Sequence, residues 1–210
     1  MNINNIPFGS QKSHFTGKPD IVPGGFSFDL VNQKLDIGDI VSAGTLAISN
    51  DIKRTIQIIK TAKVFDISDD GKIIQLYNHP YNDPCFKVGE YIYKANCKNI
   101  EFSKVPQITK IKRGGSYMIY LSIPISGLQE EDILQEMIND NGIATGIGKA
   151  NCITIRDVEI TELDTGVDIS KSTGVYHVKE KLVPPIPDNQ KDHTGCCLEF
   201  NPHIKFVQIL

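Results

Sequence analysis

IGDIVSAGTLAISNDIKRTIQIIKTAKV, residues Ile37 to Val64, is the stretch whose reading decides the fold. It reads as a strand entering a Gly-Asp turn and a second strand through Ala43-Gly44-Thr45-Leu46. A polar turn at Ser49-Asn50-Asp51 follows, then a long strand ending in Thr61-Ala62-Lys63-Val64. In that long strand Ile56, Ile58, Lys60 and Ala62 share one face, and Thr55, Gln57, Ile59 and Thr61 share the other. The first set is the expected core face.

The sequence before it divides in two. Phe26-Ser27-Phe28-Asp29-Leu30 alternates as a half-buried strand does. Residues 1–25 read as an extended arm rich in Asn, Ser, Gly and Pro, closed by a turn at Pro23-Gly24-Gly25. Its large residues, Ile3, Ile6, Phe8, Phe15 and Ile21, follow no period and cannot gather into a core. The arm is therefore expected to be dispensable for folding, with Ile6, Phe8 and Phe15 as anchors for a partner surface.

Downstream the strand signals continue. Asp69-Asp70-Gly71 predicts a hairpin turn, and Ile73 to Tyr77 the next strand. Asn78 to Pro84 is a loop, because its prolines and asparagines exclude a ladder. Phe86-Lys87-Val88-Gly89-Glu90-Tyr91-Ile92 has the flavour of Leu35 to Val41, and Ile108 to Ile111 echoes Thr61 to Val64. These echoes raise an internal β repeat. The four-residue match of Lys94–Cys97 with Lys149–Cys152 is compatible with chance and carries no weight. Tyr117 to Ile125 is strongly apolar, with Pro124 near its end, and reads as a central strand buried on both faces.

One helix is expected, at about residues 127–141. Ser126 is a good N-cap with Gln129 three residues on. Glu130, Glu131 and Asp132 suit its first turn. Ile133, Leu134, Met137 and Ile138 form its apolar stripe, and Asn141-Gly142 its stop. Gly142 to Gly148 is then a link. Strands are expected at Cys152 to Ile160, at Val175 to Val183 and near the C-terminus, with Pro184 to Pro187 as an extended connection. The fold class is thus mainly β, sandwich-like or barrel-like antiparallel sheets, with one short amphipathic helix and the arm. Three regions follow: arm 1–25, β domain 26–125, and helix with second β region 126–210.

Composition sets limits on function. The chain has 210 residues, 40% of them hydrophobic, and a formal charge of −3. That balance gives no electrostatic reason to expect nucleic acid. No apolar run approaches the roughly 20 residues of a membrane helix. Residues 1–10 lack the basic and apolar regions of a signal peptide. The five cysteines, Cys85, Cys97, Cys152, Cys196 and Cys197, are odd in number and not spaced as a disulfide framework. They read as free thiols of a reducing cytoplasm.

Each chemical motif competes with a plainer reading. Gly142 to Lys149 resembles a phosphate loop, but its spacing is one residue too long. Ala150 stands where a hydroxyl is needed, and the predicted order of helix and strand is reversed. His193, Cys196, Cys197 and His203 lack metal-knuckle spacing, and adjacent cysteines on a strand point to opposite faces. Asp69, Asp70, Asp164 and Asp168 lack the calcium-loop ladder and suit turns. Lys110 to Gly115 reads as a solvated hairpin tip. No catalytic residue, metal or cofactor is therefore assigned.

Gly38-Asp39-Ile40-Val41, Ala43-Gly44-Thr45-Leu46 and Thr61-Ala62-Lys63-Val64 resemble a module of phage head-decoration and head-fibre proteins, especially of phages that infect Bacteroides-type bacteria. Phe86 to Ile92 resembles the entry to the next strand of the same module. The resemblance covers roughly residues 20–125; residues 126–210 match no known module. It implies a non-enzymatic virion protein, an auxiliary capsid subunit on the capsid exterior, made in the host cytoplasm. Its implied partners are the major capsid protein and itself, as homodimer or homotrimer, with no nucleic acid or membrane. Two rivals stay open. One is a β-sandwich binding module for glycan or protein, with Tyr77, Tyr81, Tyr91 and Tyr93 as its aromatic candidates. The other is a thiol-dependent hydrolase.

Overall fold

The computed structural model describes residues 14–16, 21–22, 25–77, 83–162, 165–171 and 176–207. Among them the chain forms nineteen strands and no α-helix. The first are β1 (Phe15–Thr16), β2 (Phe26–Phe28), β3 (Ile40–Val41), β4 (Leu46–Asn50), β5 (Thr55–Ile58), β6 (Thr61–Ile67) and β7 (Ile73–Leu76). Then come β8 (Tyr91–Lys94), β9 (Ile108–Lys112), β10 (Tyr117–Leu121), β11 (Ile133–Asp140) and β12 (Ile143–Thr145). The C-terminal part adds β13 (Cys152–Thr154), β14 (Val158–Glu159), β15 (Gly166–Val167), β16 (Ile169–Ser170), β17 (Tyr176–Lys179), β18 (Cys197–Leu198) and β19 (Asn201–Val207).

They make three main sheets and one two-stranded ribbon. The seven-stranded sheet runs β12-β11-β6-β7-β10-β9, with β8 also paired to β11. The six-stranded sheet runs β15-β2-β5-β4-β13-β16. The four-stranded sheet runs β1-β17-β19-β18, and β14 pairs with β3. Pairing is antiparallel except at β2–β5 and β17–β19.

The decisive stretch is where the sheets divide. The expected long strand is two: β5 ends at Ile58 in one sheet and β6 starts at Thr61 in another. Ile58 belongs to the core of the six-stranded sheet, and Ala62 to that of the seven-stranded sheet. Ile59, between them, faces a third core, under the C-terminal strands with Val178, Val183, Leu198 and Ile204. Lys60 sits at the crossing with its side chain fully buried.

The expected helix is a strand. Gly127 and Glu131 take positive φ, +64° and +69°, which no α-helix accommodates. The Glu131 N–H donates to the Val64 carbonyl, and Val64 N–H to the Asp132 carbonyl, so this backbone is taken into the sheet. β11 then lies against β6, β8 and β12. Leu134, Gln135 and Met137 are all buried, because both faces of the strand are covered. The three-residue step from Leu134 to Met137 therefore mimics a helical stripe. Tyr117 to Ile125 departs the other way. β10 alternates, with Tyr117, Ile119 and Leu121 buried and Met118 and Tyr120 half-buried on the opposite face.

The expected regions interlock. β11 pairs with β6, β13 with β4, and β15 with β2, so the strands from β11 to β16 are woven into the same sheets as 26–125, while β17, β18 and β19 form their own sheet with β1. The arm is also tied in where it is described: β1 pairs with β17, and Phe15 packs against the third core.

The two echoing stretches fold alike. In Asp36-Ile37-Gly38-Asp39, the Asp39 carboxylate accepts the Asp36 N–H at 2.7 Å. In Lys87-Val88-Gly89-Glu90, the Glu90 carboxylate accepts the Lys87 N–H at 2.8 Å. Gly38 and Gly89 have φ of +89° and +87°, the conformation glycine takes without strain. Gly38 N–H donates to the Ile160 carbonyl and Gly89 N–H to the Ile108 carbonyl, both at 2.8 Å. Ile160 and Ile108 return equal bonds to the carbonyls of Asp39 and Glu90.

Candidate functional site

Ile6 and Phe8 lie outside the described residues. Phe15 lies within them, partly buried against its own chain's core. Its ring is thus already committed to the fold, which leaves less of it for a partner than a free arm would offer.

The thiols are built for packing. Cys85 and Cys152 are buried, and burial pushes both up to about 12, away from the thiolate a nucleophile needs. Cys197 is buried at the start of β18, and Cys196 is exposed in the bend before it, so the two are not opposite faces of one strand. Among the described residues no three His, Cys, Asp or Glu side chains gather as a metal site. Asp70 accepts bonds from Ser68 Oγ and the Lys72 N–H, so it closes a turn. Asp168 pairs with Arg156, and Lys149 with Glu199 at 2.7 Å. Lys110 and Lys112 stand on β9, an edge strand, where lysine discourages pairing with other chains.

The densest chemistry is a buried charge node between two of the sheets. Lys60 Nζ donates to the Lys34 carbonyl at 2.6 Å and to the Glu90 carboxylate, and lies 4.0 Å from Glu136. Gln33 closes the node from the side. Its amide donates to the Ile58 carbonyl at 2.6 Å and accepts the Ile58 N–H at 2.9 Å. Burial pushes the Glu90 carboxyl up to about 7; Lys60 opposes that shift and Glu136 adds to it. Next to it Lys87 bridges Asp36 at 2.7 Å and Asp39 at 2.6 Å, joining the two equivalent turns. Burial works against the Lys87 ammonium, but the two carboxylates outweigh it and hold the amine above its usual range. The hydrogen bond from Lys87 holds the Asp36 carboxyl below its own.

No family model, curated protein or solved structure matches the chain.

The surface presents a second pattern. Four turns carry a large aliphatic side chain at the tip: Val31 (93% exposed), Ile37 (67%), Ile52 (96%) and Val88 (55%). Turns ordinarily carry Gly, Pro, Asn, Asp or Ser there. Of the aromatic candidates, Tyr93 is buried and Tyr91 stacks on Phe102 at 4.6 Å. Tyr81 lies outside the described residues. Tyr77 is open to solvent and meets Phe65 edge to face at 5.0 Å.

Sequence reasoning placed Lys60 on the core face but gave it no partner. The one signal was an acid after Gly in both echoing stretches, Asp39 and Glu90. Lys87, Glu136 and Gln33 gave none, since their partners are distant in sequence.

Proposed function

We propose that the chain is a structural virion subunit, a head-fibre or decoration protein on the outside of a phage capsid that binds the major capsid lattice and further copies of itself. The observation that carries this reading is the set of aliphatic turn tips. Val31, Ile37, Ile52 and Val88 belong to none of the chain's own cores, yet they stand where polar residues are the rule. Such side chains serve contact between proteins. The buried charges are occupied with each other, which fits a frame that holds shape. The shifts at Cys85 and Cys152 run against the hydrolase reading.

Ile6 and Phe8 remain the arm's proposed anchors, beside Phe15, which is partly buried against its own chain's core. A phenylalanine buried in a partner pocket contributes about 2 kcal/mol before ordering costs. Repetition over a symmetric lattice multiplies that effect. Deletion of residues 1–12 spares β1 and tests the arm. A second variant, Ile37→Ser with Val88→Ser, tests the tips. Each is compared with the full chain for thermal stability and for rebinding to particles stripped of the subunit. Unchanged unfolding and lost occupancy are expected. Full occupancy by a protein carrying both changes overturns the proposal.

A further inference from the structure

The seven-stranded sheet turns one face to its core and the other away from it. On the core side β7 and β10 bury Ile74, Leu76, Tyr117, Ile119 and Leu121. Their alternate residues, Ile73, Gln75, Met118 and Tyr120, point the other way and are only half-buried. Ile73, Met118 and Tyr120 belong to none of the three cores. The exposed pair Phe65 and Tyr77 closes one end of this strip. Alternating strands with an apolar strip on an open face are the form in which one β-sheet packs on another.

The flanks of the strip are charged, with opposite sign. One row crosses the face strand by strand: Asp66 lies opposite Gln75, Gln75 opposite Met118, and Met118 opposite Lys112. An acid ends the row on β6 and a lysine ends it on β9. Both are exposed, and neither has an ion-pair partner among the described residues. The neighbouring charges repeat the division. Asp69 and Asp70 follow β6 in its turn, with Lys72 against them, while Lys63 is paired with Glu131. On β9 Lys110 stands beside Lys112, while Arg113 is paired with Asp83 at 3.1 Å. The β6 flank is therefore acidic and the β9 flank basic. The lysines of β9 discourage pairing edge to edge, but they do not obstruct stacking face to face.

We infer that this face packs on the same face of a second copy, about a two-fold axis that runs along the strands between β7 and β10. That axis reverses the row, so each Lys112 stands over the partner's Asp66 and the apolar strips meet. A two-fold axis across the strands would instead set β9 on β9, lysine against lysine. Four strands about 4.8 Å apart, each about five residues long at about 3.3 Å per residue, give a face of about 300 Å². Partners in a stable complex each bury about 800 Å². The pairing is therefore weak in free solution, with a Kd of about 0.1 mM, and gains strength among subunits held close together on a lattice. The inference rests on the reading of the chain as a subunit that binds copies of itself, and names the surface that does so.

Sedimentation equilibrium of the full-length protein, up to about 1 mM, reads the pairing. A monomer–dimer equilibrium is expected. Asp66→Lys and Lys112→Asp should each weaken it at least fivefold, because like charges then face each other. An equimolar mixture of the two should form a heterodimer, and the chain carrying both changes should regain the homodimer. Met118→Lys, in the middle of the strip, should abolish pairing. A denaturation curve checks that each variant is folded. A parent that stays monomeric, single variants that pair as the parent does, or a mixture that does not pair overturns the inference. So does pairing that appears only after deletion of residues 1–12, which makes the arm the occupant of the face. Rebinding to stripped particles is read separately. A monomeric parent that still rebinds overturns this inference alone; a parent that dimerises as described but does not rebind supports it and overturns the capsid reading.

Discussion

Replacing Lys60 by Met keeps the aliphatic stem and removes the ammonium. What remains is a carboxylate pair, Glu90 with 3% and Glu136 with 14% side-chain exposure, and a Lys34 carbonyl with its donor gone. Removing one partner of a buried ion pair costs about 3–5 kcal/mol, because the other charge stays buried without compensation. That cost applies at pH 8. At pH 5 it falls, since Glu90 in the folded protein can take up a proton and become neutral. Glu90→Gln imitates that neutral form. The double variant should therefore be much less damaged than the sum of its parts at pH 8, with a coupling of about 2 kcal/mol or more between the two changes. Urea unfolding of the four proteins of the cycle, at both pH values, measures every quantity. A Lys60→Met cost below about 1 kcal/mol at pH 8, or single costs that simply add, would refute the account of the node as an interdependent set of charges.

Three further outcomes follow. In the unaltered protein Glu90 binds its proton more tightly folded than unfolded, its carboxyl lying near 7 against an ordinary 4.5. Its contribution is therefore fully present below pH 4.5 and lost as pH rises through about 7, by at most about 3.5 kcal/mol at roughly 1.4 kcal/mol per tenfold. Urea midpoints from pH 5 to 8 should fall by less in Glu90→Gln than in the parent; equal slopes would exclude Glu90 as the titrating group. Gly44→Ala should cost about 3 kcal/mol or more by thermal unfolding. Its φ is +81°, and a methyl there stands 2.7 Å from Val183 Cβ, so a loss under about 1 kcal/mol would mean that the turn and Val183 move apart freely. Under native conditions a maleimide should modify Cys196 rapidly and leave Cys85 and Cys152 unmodified, as peptide mass mapping reads; fast labelling of either buried thiol would show that its core opens.

The parts of the fold legible in the sequence are those in which alternation acts locally. Phe26–Phe28 and Ile73–Leu76 read correctly because each has one buried and one open face. The turn residues Asp70-Gly71 read correctly because turn chemistry is local as well. β11 failed for the opposite reason. It is covered on both faces, so its period was lost, and a serviceable capping sequence stood in front of it. Propensity and capping are weak against pairing with two neighbouring strands. The β5–β6 break was hidden because Ile58, Ile59, Lys60, Thr61 and Ala62 are all buried, in surroundings that only distant residues define. The charged row across the open sheet face was out of reach for the same reason, since Asp66, Met118 and Lys112 are aligned only by strand pairing.

The charge node explains why a lysine can sit in the middle of an apolar run. At Ile59-Lys60 the chain leaves one sheet for another, so neither ladder supplies partners for the Lys34 carbonyl or the turns beside it. An apolar side chain at position 60 would leave that carbonyl without its side-chain donor and two carboxylates without a buried countercharge. The ammonium reaches all three, and its stem passes between cores that already exclude water. The equivalent turns extend the same device. Lys87 in the second occupies the place of Asp36 in the first, and this reversal of charge lets the two be bridged. Two copies of one turn with like charges would repel across that distance. Divergence at this one position thus turns a repeated element into a joint, and Lys87→Asp should part the turns while leaving each turn's own carboxylate bond intact.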